Sequence, residues 1–395
     1  KTQKIGEGSR TNFDSAWLFP ALMKKMAATA LSASLTKSDY VLRANFALVF
    51  FVRFPLAFAT FYLALSCSAN ILNSCGFINQ KEHCISMFYR YDQLSELLSV
   101  KAPLLMLDQL TVNWDAMTAE GVKMVSFNED VFVGHFPDYP VLPGMLQVAA
   151  MSQTCRVLFQ KCSPGDGIIA VKSLRRIKFR TPVTPGMALR IHCAVHRKND
   201  DGSVEFEIKN RVNDGNLASS GFITLIRRDE AWFNPPPNLN PCPFLANPPA
   251  SVFKPLDILR YIPHRQPFML IDKAYGLEDM NSAVGYKNIT GNDPLIQAAR
   301  PSLYPPYLQI ESGAQLGCAT MLSQPQFHGL IGFFMSVDEA EFFRPVLPGE
   351  QLAIQVACEP KGTFGIATGH FMVGDFTVAQ TTIKFALVNA ADAKK

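Results

Sequence analysis

Three blocks of this 395-residue chain recur in the same order at a nearly constant spacing. Pro103-Leu-Leu-Met-Leu-Asp108 returns as Pro267-Phe-Met-Leu-Ile-Asp272, at an offset of 164. Leu146-Gln-Val-Ala149 with Gln153 returns as Leu308-Gln-Ile-Glu311 with Gln315 at 162, and Phe179-Arg-Thr-Pro-Val-Thr-Pro-Gly186 returns as Phe342-Phe-Arg-Pro-Val-Leu-Pro-Gly349 at 163. Ordered self-similarity of this kind marks a duplicated structural unit, so the chain must bury two related cores. The copies are read at 95–231 and 253–389, with a leader at 1–94, a joining segment at 232–252 and a tail at 390–395. Seven prolines fall within fifteen residues of the joining segment, which predicts a stiff extended linker.

Within a copy, one helical pattern is surrounded by strand patterns. Pro143-Gly144 opens a run whose apolar residues (Met145, Leu146, Val148, Ala149, Met151, Val157, Leu158) lie nearly all round a helix, as expected of a helix wrapped by other structure. Ile177 and Phe179 then alternate with Arg176, Lys178 and Arg180, a period of two that predicts a half-buried strand. Further strands are predicted at 188–195, 204–212 and 219–226, separated by polar turns such as Asn199-Asp-Asp-Gly202. One long helix with an antiparallel sheet gives an α+β domain, and two such domains can pair sheet edge to sheet edge.

Composition narrows the function. Charged residues make up only 18% and the net charge is +4, which excludes a disordered chain and a nucleic-acid-type charge pattern. The nine cysteines form no CxxC or Cys/His cluster of zinc spacing, and are read as free thiols in a reducing compartment. Residues 44–72 carry a single charged side chain, Arg53, in an apolar run whose Phe46, Phe50, Phe54, Phe58 and Phe61 share a helix face. That stretch is long enough to span a bilayer or to be a buried helix. The basic, Ser/Thr/Ala-rich residues before it resemble an organelle-targeting remnant, most simply mitochondrial, and give a membrane-associated expectation.

The segment Gly134-His135-Phe136-Pro137, followed by Pro140-Val-Leu-Pro-Gly144, resembles the signature of the β-hydroxyacyl-acyl-carrier-protein dehydratases of fatty-acid synthesis. The second copy resembles the same family through Ile262-Pro-His-Arg-Gln-Pro-Phe-Met-Leu-Ile-Asp272 and Phe343-Arg-Pro-Val-Leu-Pro-Gly349. The resemblance implies a double hot-dog fold, to which the apolar run at 44–72 adds an expected N-terminal hydrophobic helical extension. It also implies a site between the two copies, formed by the Gly-His-Phe-Pro histidine of one and a helix carboxylate of the other. Each copy holds one member: His135 in the first, where the second has Ala299, and Glu311 in the second, where the first has Ala149.

Dehydration of a 3-hydroxyacyl thioester needs a base for the proton beside the carbonyl and an acid for the departing hydroxyl. Neutral imidazole suits the first role near pH 7, and a carboxyl raised by desolvation suits the second, so His135 is assigned as base and Glu311 as acid. In the family, backbone N–H groups at the start of the central helix bind the thioester oxygen, which implies Gly144 and, beside Pro306, the N–H of Tyr307. Arg175, Arg176, Lys178 and Arg180 make a basic strand face implied to receive the acidic carrier protein, whereas the second copy has Asp338, Glu339 and Glu341 there. His264 and Arg265 are read as structural. The expected partners are an acyl-carrier-protein or CoA thioester and membrane-complex subunits, without nucleic acid, metal or cofactor. Pro306 and the two residues missing from the second copy's loop support an alternative, a catalytically inactive structural subunit of a mitochondrial membrane complex. A thioesterase on the same fold is a third reading.

Overall fold

The computed structural model describes residues 86–213, 215–276 and 281–389, so the apolar run at 44–72 lies outside the described residues. No helix among the described residues is long and apolar enough to cross a membrane. The first copy supplies β1 (Ser86–Arg90), β2 (Gln109–Asn113), β3 (Thr118–Met124), β4 (Ile168–Phe179), β5 (Ala188–Lys198), β6 (Val204–Val212) and β7 (Asn216–Arg228). The second supplies β8 (Val252–Phe253), β9 (Lys273–Tyr275), β10 (Ser282–Asn288), β11 (Leu330–Phe342), β12 (Gln351–Lys361), β13 (Phe364–Val373) and β14 (Phe376–Asn389). All belong to one 14-stranded sheet in the order β1-β2-β3-β5-β6-β7-β4-β11-β14-β13-β12-β10-β9-β8. Its second half is the first read backwards, as duplication followed by edge-to-edge pairing requires.

The helices that matter are α1 (Tyr91–Leu98), α2 (Val131–Gly134), α3 (Gly144–Cys162), α4 (Pro294–Gln297) and α5 (Pro306–Leu322). The central helices α3 and α5 are each wrapped by the sheet of their own copy and pack against one another. Every residue from Met145 to Cys155 on α3 is buried, which is why its sequence is apolar on all faces. Gln153 and Gln315, the polar residues repeated within the two helices, satisfy backbone in matching ways. Gln153 accepts from Met106 N at 2.8 Å and donates to Leu104 O at 2.7 Å, and Gln315 accepts from Leu270 N at 2.9 Å and donates to Phe268 O at 3.0 Å. These bonds explain why the first repeated block and the helix block recur together: each glutamine pins the incoming strand segment to its helix.

The copies join where β4 pairs antiparallel with β11. Ile177 opposes Val337 and Leu174 opposes Ala340, all buried, while Arg175 opposes Glu339. The basic strand and its acidic counterpart are thus neighbours across the seam, and opposite charges in facing positions favour this register.

Two segments differ from the sequence expectation. The first copy's sheet begins at Ser86 rather than near 95, because β1 pairs with β2 and α1 buries Leu94 and Leu98. β1 is almost wholly exposed, so it has no apolar alternation to reveal it. The joining segment is also less extended than predicted, with single helical turns at Glu230–Phe233 and Pro243–Ala246. The Asp229 side chain accepts from Trp232 N to start the first, and Pro243 stands at the start of the second, where its missing N–H costs nothing. Asn238 ties the segment to the second copy by donating to Val373 O at 2.9 Å.

Candidate active site

His135 sits just after α2, on a loop clamped at both ends of a six-residue span. Its Nδ1 lies 2.7 Å from Val141 O, and Val141 N donates back to His135 O at 3.0 Å. A carbonyl can only accept, so Nδ1 carries the hydrogen and Nε2 keeps its lone pair. Burial, and after it the neighbouring His264, lowers the His135 pKa to about 4, so the imidazole is neutral near pH 7.

The second copy brings two further groups to this ring. Glu311, five residues into the apolar α5, is 3% exposed. His264 turns its Nε2 toward Glu311 Oε1 at 3.6 Å, and its ring meets that of His135 edge-on at 5.3 Å between centroids. Ligating atoms of His135, His264 and Glu311 all lie within 4.8 Å of one another. The contact across the copies is made by backbone: Arg265 N donates to Gly134 O at 2.9 Å. A Cβ on Gly134 would stand 2.2 Å from Arg265 O, so only glycine permits the approach that puts His264 beside His135.

Burial pushes the Glu311 carboxyl up, but His264, His135 and the Gln315 amide, which donates to it at 3.2 Å, together hold it below the usual carboxylate range. This reverses the sequence expectation of a carboxyl protonated by desolvation. The reason is His264, whose partnership with Glu311 the sequence reading did not include.

The three groups open into a cavity of about 260 Å³. Gly144 stands at its edge as the first residue of α3, where N–H groups have no acceptor within the helix and the helix end is positive. Phe179 packs over Gly144 so closely that a Cβ there would meet the ring at 3.0 Å. Beyond the polar end the walls turn apolar, through Ala314, Cys318, Met321, Phe334 and Phe385.

A second cavity, of about 110 Å³, holds the counterparts. Ala299, Ala149 and Val100 occupy the positions of His135, Glu311 and His264 in the repeat, and all three line it. The cross-copy backbone contact is kept there: Lys101 N donates to Ala298 O at 2.6 Å, and Val100 bridges to Ala299. The geometry has thus been conserved between the two sites while the ionisable groups have been collected in one.

Tyr307 and Pro306 both line this second cavity, so neither serves the cavity of His135. The expectation of Tyr307 as a thioester-oxygen donor beside Glu311 is corrected accordingly. Each central helix starts beside the loop of its own copy but sends the side chain one and a half turns later into the opposite cavity. The helix start that faces His135 is therefore that of α3, with Gly144, and the missing N–H of Pro306 falls elsewhere.

The four basic residues assigned to docking, three on β4 and Arg180 just beyond it, divide. Arg175 is committed inward: both Nε and Nη2 donate to the buried Glu205, at 3.1 and 2.8 Å, and the guanidinium lies 4.4 Å from the Phe222 ring centroid. Arg176 and Lys178 are exposed, and Arg180, which donates to Ser220 Oγ at 2.9 Å, is exposed at the edge of the 260 Å³ cavity. His264, read as structural from the sequence, is the further ionisable residue that the structure brings beside His135 and Glu311. Its signal was available in the 164-residue offset, which aligns it with Val100 just as it aligns His135 with Ala299.

Comparison with known proteins identifies the family and the fold. Residues 112–221 match the ApeI dehydratase family model and residues 262–382 match the FabA-like domain. The 3-hydroxyacyl-acyl-carrier-protein dehydratase FabZ of Symbiobacterium thermophilum is 42% identical over 136 residues, covering 96% of that protein and 34% of this chain. The FabZ of Pelotomaculum thermopropionicum is 41% identical over 133 residues, 95% of its length and 33% of this chain. Among solved structures, the dehydratase domain of the CurJ module of curacin polyketide synthase superposes with a TM-score of 0.53 at 12% identity, covering 73% of this chain and 98% of the domain. A trans-AT polyketide synthase dehydratase domain from Brevibacillus brevis gives 0.53 at 11% identity over the same shares. At such identities these structures speak for the fold, two tandem hot-dog units.

Proposed function

Because this chain belongs to the β-hydroxyacyl-acyl-carrier-protein dehydratase family of hot-dog proteins, we propose that it is a 3-hydroxyacyl-thioester dehydratase with one composite active site between its halves. One observation carries the reading: His135, His264 and Glu311 converge on one cavity, while Ala299, Val100 and Ala149 stand at the equivalent places in the other. Loss of function by random decay has no reason to clear one site of all three groups and spare all three in its twin.

The chemistry follows from the protonation states. Nε2 of neutral His135 takes a proton from the carbon beside the thioester carbonyl. Charge that builds on the carbonyl oxygen is met by the N–H groups at the start of α3, beginning with Gly144. The hydroxyl then leaves as water, receiving through the Glu311 carboxylate the proton that His135 has taken up, and the electron pair of the broken C–H bond becomes the new C=C bond. Glu311, held ionised with His264 beside it, acts here as a relay for that proton rather than as a standing acid. Both groups thus end the turnover in the protonation states in which they began it. The apolar end of the cavity takes the acyl chain.

The substrate carrier is proposed to be an acyl-carrier protein, the partner named for the FabZ relatives, with Arg176, Lys178 and Arg180 as its basic contacts. An organellar, membrane-associated placement is part of the same proposal and rests on the sequence of residues 1–72. The test is direct: the purified chain should interconvert 3-hydroxyacyl and trans-2-enoyl thioesters, followed by enoyl absorbance. Turnover that survives His135→Ala unchanged rejects the assignment. The inactive-subunit reading has lost its argument from Pro306, which lines the other cavity.

A further inference from the structure

The second cavity lacks the polar groups of its twin but has acquired a charge of its own. Arg156 stands on α3 where α5 carries Cys318, so a guanidinium occupies the place that is apolar tunnel wall in the first cavity. Its Nε is buried with no hydrogen-bond partner among the described residues. Burial lowers the Arg156 pKa, an effect the nearby Tyr307 only partly offsets. Gln309, 2% exposed, also leaves its Oε1 unpartnered here, whereas its repeat counterpart Gln147 accepts from Ser219 Oγ at 2.8 Å.

The space continues past Arg156. Ile168, Ile169 and Arg300 are shared between this inner cavity of about 110 Å³ and an outer basin of about 450 Å³. Arg156, Arg227 and Arg300 all line the basin, and among the described residues no Asp or Glu lines either space. Arg227 donates to the carbonyls of Ser163 and Gly167, and Arg300 to those of Gln297 and Ala299. Those bonds orient the guanidinium groups but leave their positive charge unbalanced. Arg156 as a whole is half-buried, but a guanidinium whose Nε is shut away from water without a counter-charge is destabilising, and a carboxylate is the group whose two oxygens match its fork. Ala149, Ala170, Leu303 and Phe342 give the inner cavity an apolar part, while Ser152, Gln153, Tyr307 and Arg344, the last paired with Glu350, also line it.

We infer that the second cavity is a binding site for a small carboxylate bearing a short apolar chain, with the carboxylate on Arg156 and the chain in the inner space. The inference stands apart from the dehydratase reading, since it uses none of the residues around His135. The duplicated fold thereby keeps one site for chemistry and turns the other to recognition.

Butyrate is the probe, titrated into the full chain by calorimetry and thermal unfolding, against chloride at equal ionic strength and against inorganic phosphate. Saturable binding of butyrate with a rise in Tm is expected, and Arg156→Met should weaken it about tenfold or more, the worth of one charge-assisted hydrogen bond. Arg156→Met should also raise Tm in the absence of butyrate, because it removes a desolvated charge. A second variant, Ala149→Leu, fills the apolar end and should weaken butyrate while leaving phosphate unaffected. No saturable butyrate binding, phosphate bound more tightly than butyrate, or butyrate bound equally by wild type and Arg156→Met would each overturn the inference.

Discussion

Nε2 of His264 lies 3.6 Å from Oε1 of Glu311, and across the seam between the copies the His135 ring stands edge-on to His264 at 5.3 Å. One carboxylate is therefore faced by two imidazoles, one from each copy. The His264 side holds the carboxylate ionised, and the His135 side provides a neutral base.

Removing His264 tests the pairing. In His264→Ala the burial of Glu311 remains while its largest stabilising partner is lost, so the carboxyl pKa moves up. The acid limb of the kcat/KM profile should shift to higher pH, and kcat should fall by roughly 10²-fold or more, within the range of a lost proton-transfer group. An unshifted profile with normal kcat would reduce His264 to a packing residue.

The His135 pKa near 4 makes a prediction about stability. An imidazole depressed below its unfolded value of about 6.5 leaves the unfolded chain binding more protons between the two values, so stability rises with pH through that window. On acidification from about 6.5 to about 4 this group should cost on the order of 3 kcal/mol, and His135→Phe should flatten that part of the curve. Denaturant unfolding at a series of pH values measures both. Turnover in the wild type should also persist well below the ordinary histidine pKa.

Gly144 and Pro306 begin equivalent helices but face different cavities. Gly144→Pro removes an N–H from the cavity of His135 and crowds Phe179, so kcat should drop by about 10²–10³-fold. Pro306→Gly restores an N–H to the other cavity and should leave kcat unchanged. Equal effects of the two substitutions on kcat would mean that the helix starts have been assigned to the wrong cavities.

Charge reversal separates docking from structure on β4. Arg176→Glu with Lys178→Glu should raise KM for a carrier-protein thioester, most strongly at low salt, and leave a small soluble thioester unaffected. Arg175→Ala should instead lower Tm, since it strips the buried Glu205 of its best partner. A selective loss of carrier-protein turnover in Arg175→Ala, at unchanged Tm, would reassign that residue to the surface.

The cavity of His135 has a length limit that one side chain can shift. Ala314 lines its apolar part, and Ala314→Leu adds bulk where the acyl chain runs. Preference between short and long acyl thioesters should move toward the shorter by about tenfold or more in kcat/KM. Identical chain-length profiles would show that the chain takes another route.

The sequence by itself determined the duplication and the α+β character of each copy, and its resemblance to the dehydratase family implied the pairing of His135 with Glu311 from opposite copies. The duplication and the α+β character were legible because they are carried by local pattern: repeated blocks, apolar periodicity and turn residues reflect what each segment buries. Three matters were decided only by the tertiary structure. The Gly134–Arg265 backbone contact brings His264 to the site, so a residue 129 positions from His135 became its neighbour. The crossing of α3 and α5 assigns Gly144 to one cavity and Tyr307 with Pro306 to the other. The ionised state of Glu311 follows from which groups surround a buried oxygen, and burial alone would have given the opposite sign. Each depends on contacts between segments far apart in the chain, whose distances and orientations no local periodicity encodes.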